Sequence, residues 1–240
     1  MQAIQVTIGL TPLRSAPRVV GLPPMCSRYT VGADPKIVAA RFGASAAPGL
    51  KPRFNLAPSQ EAPVLFAAPE RRMAFLKWGL MPAWAKGPQA KPQINARAET
   101  LLDKPFFREA FRWRRALIPA DGWYEWPKKG ADKSPQYFSL KTGELFAFAG
   151  LWEPGNFTMI TVEPNPVVAR FHDRMPALLP RDAEAEWLDP KTPVDRLKQL
   201  LRPYPSELLA ARAVSPRIGS TVVDEPSLRD VAANAQGDLF

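Results

Sequence analysis

The chain of 240 residues carries one cysteine, Cys26, directly after Met25. Inside a chain such a thiol is most often a small buried hydrophobe. At a chain start it does different chemistry, because its α-amine and thiol sit on neighbouring carbons. The pair can attack one aldehyde in turn, first as a Schiff base and then as a five-membered thiazolidine. The α-amine has a reference pKa of roughly 7.7 to 8.0, so part of it is nucleophilic near neutrality, unlike an ordinary lysine. Residues 1–24 show no sustained periodicity and no signal-peptide pattern. They are expected to be a disordered leader or to precede a working start at Met25, and removing everything before Cys26 would create the reactive amine.

Three further side chains could move protons or orient a reactant. Glu125 stands between Tyr124 and Trp126, where a carboxyl in an aromatic strand would lose water and hold a proton more readily. The competing reading is an outward-facing carboxylate paired with a lysine. His172 is the single histidine, next to Asp173 and Arg174; it could shuttle a proton, or be a satisfied structural residue. Asn95 can donate and accept, so it could orient a reactant or cap a turn. Arg28, Arg97 and Arg174 each lie within two residues of one of these candidates and could clamp phosphates. Trp78 and Trp84 could stack on unpaired bases, with core packing the alternative, above all for Trp78. One cysteine and one histidine exclude an internal disulfide, a cysteine-based zinc cluster and a His-pair metal site. No metal and no cofactor are expected, and the absence of disulfides fits the reducing cytoplasm, the expected location.

The charge is concentrated. Of a net +9, most falls between Arg71 and Lys129, which hold 13 Lys and Arg against 5 Asp and Glu, together with five of the seven tryptophans. Basic groups neutralise phosphates and aromatic faces stack on bases, the combination that holds single strands. A solvated face beside a Trp-rich core would have the same composition. No apolar run approaches the roughly 18 residues a membrane-spanning helix needs, so no membrane partner is expected.

The elements that must carry these residues read as short and mixed. Asp34 to Ala46 opens with an N-cap and a proline and predicts a helix. Apolar runs from Arg53 to Phe66 are broken by Pro58 and Pro63; Met73 to Leu80 predicts a strand and Trp84 to Pro92 a loop. Asp103 to Arg115 predicts a helix with Phe106, Phe107, Ala110 and Phe111 on one face. Strands are expected at Leu117 to Ile118, Gly122 to Trp126, Gln136 to Leu140, Leu145 to Trp152 and Phe157 to Val162. Short helices follow at Asp182 to Leu188, Val194 to Leu201 and Ser206 to Arg212. The whole is a single α+β domain, expected as mostly antiparallel twisted sheets in a barrel-like core with short flanking helices.

Five strings in order resemble one family. They are Met25-Cys26-Ser27-Arg28-Tyr29-Thr30, Trp78-Gly79-Leu80-Met81-Pro82-Ala83-Trp84, Ile94-Asn95-Ala96-Arg97-Ala98-Glu99-Thr100, Ile118-Pro119-Ala120-Asp121-Gly122-Trp123-Tyr124-Glu125-Trp126 and Phe171-His172-Asp173-Arg174-Met175-Pro176. The family is SRAP, the SOS-response-associated peptidase or abasic-site processing proteins. The resemblance runs from Met25 to about Ile218, where Val214-Ser215-Pro216-Arg217-Ile218 resembles a closing segment. It implies a domain over 25–220, with 221–240 as a tail. It also implies a cysteine freed after the initiator methionine, completed by the residues matching Asn95, Glu125 and His172.

The implied activity is recognition of abasic sites in single-stranded DNA and a covalent thiazolidine link through Cys26, with strand cleavage by β-elimination as a related outcome. The alternatives are a cysteine-type autopeptidase releasing the segment before Cys26, and a non-catalytic single-strand-binding module. The expected partner is single-stranded DNA containing abasic sites, bound by a monomer. The chain departs from the family pattern in its 24 leading residues and in Ser27, where the family commonly has glycine.

Overall fold

The computed structural model describes residues 27–68, 70–85, 87, 90–127 and 134–232. Cys26 and the leader therefore lie outside the described residues, as does the polar end from 233. The strands are β1 (Arg28–Val31), β2 (Arg53–Leu56), β3 (Glu61–Ala68), β4 (Glu70–Trp78), β5 (Asn95–Arg97), β6 (Arg115–Ala120), β7 (Gly122–Glu125), β8 (Gln136–Leu140), β9 (Phe146–Glu153), β10 (Asn156–Val162), β11 (Met175–Pro176), β12 (Leu178–Leu179) and β13 (Leu209–Ala213). The helices are α1 (Pro35–Phe42), α2 (Pro105–Trp113), α3 (Pro166–Ala169), α4 (Glu184–Leu188) and α5 (Val194–Leu200).

Two sheets form, an α+β architecture as expected. The larger runs β11-β10-β4-β3-β6-β9-β12, and a further β9–β10 pairing closes β10, β4, β3, β6 and β9 into a ring. The smaller runs β13-β8-β7-β1-β2. Pairing is antiparallel except where β10 runs parallel to β4 and β5. Aromatic side chains weld the sheets together: Tyr29 of β1 meets Trp78 of β4 edge-on at 5.3 Å and Phe148 of β9 at 5.9 Å. Trp123 of β7 stacks on Phe138 of β8 at 5.0 Å and meets Phe148 at 6.0 Å. Each such pair adds about 0.5–1.5 kcal/mol beyond simple burial. Among the described residues no helix is long and apolar enough to cross a membrane.

Local chemistry explains most boundaries. The Asp34 carboxylate accepts from the Lys36 N–H at 2.8 Å to start α1, and Gly43 ends it in the left-handed region at φ 58°. Pro63 does not break β3: it pairs with Phe75 of β4, while β6 engages β3 only at Leu65, so no ladder bond is asked of the missing N–H. The helix expected from Ser206 to Arg212 is not there. Only Ser206–Leu208 makes a 3-10 turn, and Leu209 to Ala213 extend as β13 along β8, from Leu209 opposite Leu140 to Ala213 opposite Gln136. An Ala-rich segment with good helix propensity yields to an open strand edge that needs its hydrogen bonds met.

The folded body also continues past residue 220. Leu228 is fully buried with Tyr124, Tyr137, Val214 and Ile218 on the outer face of the smaller sheet. Asp224 accepts from the Phe54 and Asn55 N–H groups and from Arg53, and Asn55 donates to Ser220 O and Val223 O at 2.8 and 2.7 Å. This strap seals one face of the sheet, while the other packs on the ring.

Candidate functional site

Strand alternation assigns faces. β1 lies antiparallel on β7 with Arg28 opposite Tyr124 and Tyr29 opposite Trp123. One step further along that register, Ser27 stands level with Glu125. Because successive side chains point to opposite faces, Ser27, Tyr29, Trp123 and Glu125 share the inner face. Ser27 and Glu125 are both 2% exposed, so the carboxyl is desolvated. Cys26 is outside the described residues, but it is one peptide bond from this position.

Arg28 falls on the other face. Its guanidinium lies 6.0 Å from the centre of the Trp126 ring and donates to Gly219 O at a long 3.4 Å. Closeness in sequence to Cys26 therefore does not give it the same face as Glu125. Burial pushes its pKa below the ordinary arginine value.

The second part of the site is built on β10. β4 leaves β10 after Trp78, the chain makes an excursion, and it returns as β5 on the same edge, with Asn95 opposite Met159 and Arg97 opposite Thr161. Gly79 makes the departure at φ 139°, and a Leu80–Gln93 bridge closes the base of the loop. The Met81 N–H donates to the Asn156 side chain at 2.9 Å. Ala96 is buried, so Asn95 and Arg97 face the opposite way, Asn95 half-buried and Arg97 exposed.

The two tryptophans of this region part company. Trp84, at the loop tip, is 63% exposed and meets Phe106 edge-on at 5.9 Å. Trp78 is 1% exposed, stacks on Phe157 at 6.2 Å and donates its indole N–H to Ile94 O at 2.7 Å. Its faces are covered by core, which corrects the expectation of a base-stacking role. Its work is to tie Tyr29, near Ser27, to Ile94, which precedes Asn95.

His172 completes the β10 side. Asn165 caps α3 by accepting from the Val168 N–H at 2.9 Å, and the His172 N–H donates to Val168 O at 2.9 Å. Phe171 packs on Phe138 at 5.7 Å, bringing this turn against β8. The imidazole is 6% exposed. Its Nδ1 accepts from the Arg174 N–H at 3.1 Å and lies 3.0 Å from a carboxylate oxygen of Asp173. These two neighbours ask for opposite protonation of one nitrogen. Asp173 is largely exposed and can turn to water, whereas the half-buried Arg174 N–H cannot, so the Arg174 N–H is the contact that fixes the ring.

Arg174 was expected to be a phosphate clamp; in the structure it is occupied. It donates to both oxygens of Glu99 at 2.6 and 2.9 Å and to Thr161 O at 2.7 Å. Burial tends to raise the Glu99 pKa, but the Arg174 hydrogen bonds and charge outweigh it and hold the carboxyl below its ordinary range. Glu99 had no role assigned from sequence, although it stands two residues after Arg97 in one of the five strings. Arg115, counted in the basic surplus, is also spent: it donates to Trp187 O, Phe111 O and Asp189 O.

Asn95, Arg97, Glu99, His172 and Arg174 thus gather along β10, and Ser27 and Glu125 on the adjoining sheet, with Tyr29–Trp78–Ile94 and Phe138–Phe171 as the joints. Two open clefts of about 480 and 440 Å³ lie elsewhere, one between α4 and α5 and one beside α1. Among the described residues no cluster of three or more His, Cys, Asp or Glu side chains is arranged to hold a metal ion.

Comparison with known proteins identifies the family. A family model described as SOS response associated peptidase (SRAP) matches residues 25–221. A Bacillus subtilis protein named abasic site processing protein YoqW is 41% identical over 190 residues, covering 74% of this chain and 85% of its own. Another from the same organism, abasic site processing protein YoaM, is 40% identical over 193 residues, covering 75% and 85%. A crystal structure of a Bacteroides thetaiotaomicron protein superposes with a TM-score of 0.77 at 26% identity, covering 86% of this chain and all of the other.

Proposed function

The chain belongs to the SOS response associated peptidase (SRAP) family, and from that premise we propose that it captures abasic sites in single-stranded DNA through Cys26 acting as an N-terminal residue. The observation that carries this reading is the β1–β7 register, which sets Ser27, bonded to Cys26, level with the buried carboxyl of Glu125. The names of relatives such as YoqW and YoaM support the choice of lesion.

The chemistry balances without a cofactor. The Cys26 amine adds to the C1′ aldehyde of the ring-opened deoxyribose, and the resulting hydroxyl leaves as water with a proton from Glu125. The thiol sulfur then adds to the imine carbon, and its proton passes to the nitrogen, closing the thiazolidine. Protein and DNA are joined with the loss of one water. Glu125 shuttles the protons, Asn95 orients the sugar, and His172 assists proton transfer beside the sugar or its phosphate. Arg97, exposed on β5, holds a phosphate, whereas Arg28 lies on the strap side of the smaller sheet. Trp84 stacks on a base beside the lesion, and the strand can continue along α2 to Trp113, also 63% exposed. That residue lies seven positions beyond Phe106, about 10 Å along the helix.

The amine exists only once the Met25–Cys26 bond is absent. A second reading of the same site is hydrolysis of that bond, in keeping with the family's description as a peptidase. A single-stranded oligonucleotide with one abasic site should give a heat-stable adduct on a denaturing gel with the processed chain. Cys26→Ser should abolish the adduct while leaving non-covalent binding within about twofold; a heat-stable adduct from Cys26→Ser would refute the reading.

A further inference from the structure

We propose that Glu99 stands in for a DNA phosphate on Arg174, so that strand binding exchanges one anion for the other and Glu99 sets the affinity of the site. A guanidinium fork presents the same pair of donors to a carboxylate and to a phosphate. Glu99 takes both terminal nitrogens of Arg174, at 2.6 and 2.9 Å. The inner side of the fork is closed to a ligand: the Nε atom is buried, and Nη2 also donates to Thr161 O at 2.7 Å. The edge that faces outward is the one Glu99 covers, and the Glu99 side chain is 47% exposed against 11% for Arg174. A phosphate reaching this arginine must therefore take the carboxylate's place.

The surroundings favour the exchange. Arg97, exposed on β5 two residues before Glu99 and opposite Thr161, marks the same edge as a phosphate path. Arg97 also helps to hold the Glu99 carboxyl in its charged form. The Glu99 carboxyl also accepts from its own main-chain N–H, but among the described residues it bonds no other main-chain N–H, so Arg174 is its hydrogen-bond partner from elsewhere in the chain. The carboxylate end of the pair is half exposed, so a strand already held at other points can approach the fork and exchange a phosphate for it.

The inference rests on the DNA-binding part of the proposed function and not on the covalent step, so it is tested with an intact single strand. Binding of a lesion-free oligonucleotide is measured for the full chain, for Glu99→Gln, for Arg174→Gln and for the double variant, at one fixed salt concentration. Glu99→Gln should bind about fivefold tighter, because Arg174 no longer has to be released. That gain should vanish when Arg174 is also replaced, since the two side chains act through each other. An equal gain in both backgrounds would mean that removing any negative charge helps, and would overturn the exchange; so would unchanged or weaker binding by Glu99→Gln. If Glu99→Gln does not fold, Glu99→Asp, with its carboxylate one methylene back, should give a smaller gain that likewise disappears with Arg174→Gln. Failure of the wild-type chain to bind any single strand would instead sink the functional reading itself.

Discussion

The arginine–carboxylate pairs beside the C-terminal strap and the one along β10 serve different ends. Where the C-terminal strap meets the smaller sheet, Asp224 accepts from two main-chain N–H groups as well as from Arg53, and Asp121, between β6 and β7, accepts from the Gly32 N–H, Thr30 and Arg229. Along β10, Glu99 serves the guanidinium of Arg174 and remains half exposed. A carboxylate saturated by main-chain donors cannot leave without stranding buried polar groups, so it is architecture. A carboxylate that answers to one side chain can be replaced by another anion. The contrast predicts which charge changes should unfold the protein and which should change what it binds.

Asp224→Ala should produce the largest effect on stability, about 3 kcal/mol, because the donors of Phe54, Asn55 and Arg53 all lose their partner. Denaturant unfolding measures it; a loss under about 1 kcal/mol would mean the strap is held by its apolar contacts alone. Glu125→Gln should invert the pattern, leaving the unfolding midpoint near that of the wild type while slowing adduct formation about 100-fold, the scale of a lost proton carrier. Equal adduct rates for the two would remove Glu125 from the chemistry.

The tryptophans carry the same comparison to a smaller scale. Trp84→Ala should weaken single-strand binding about tenfold with little change in stability, since a base stacked on an aromatic face is worth about 1–3 kcal/mol. Trp78→Ala, by contrast, should be felt in folding, and a Trp84 variant that binds normally would move the stacking surface elsewhere.

The smallest effect is a pH dependence. The folded Glu99 carboxyl titrates below its ordinary range, so its pairing with Arg174 is present above the unfolded value and is lost as pH falls through the folded one. The affinity gap between wild type and Glu99→Gln should therefore hold at neutral pH and close in acid. A gap that widened in acid would contradict the ion pair.

Local signals in the sequence were legible where the chain's own neighbours decide the outcome. Asp34 starts α1 as cap chemistry requires, although the helix ends at Phe42, capped by Gly43, and does not run to Ala46; the strand expected from Gln136 to Leu140 is β8 to the residue. The resemblance of five strings identified the family, and strand alternation around Trp123 and Glu125 was readable in principle. What could not be read was register across distant segments. β13 looked helical because Leu209-Ala210-Ala211 favours a helix until β8 offers an edge. Trp78 and Trp84 look alike six positions apart, and only the pairing of β4 with β10 decides that one is core. Arg174 seemed free for phosphate because Glu99, 75 residues earlier, is brought to it by the fold.

The most direct test of the account is intact-protein mass spectrometry of the chain before and after incubation with a single-stranded oligonucleotide carrying one abasic site. The account requires a chain that begins at Cys26 and then gains the mass of the oligonucleotide less one water, with no gain on intact DNA. A chain that begins at Cys26 and gains nothing would contradict it.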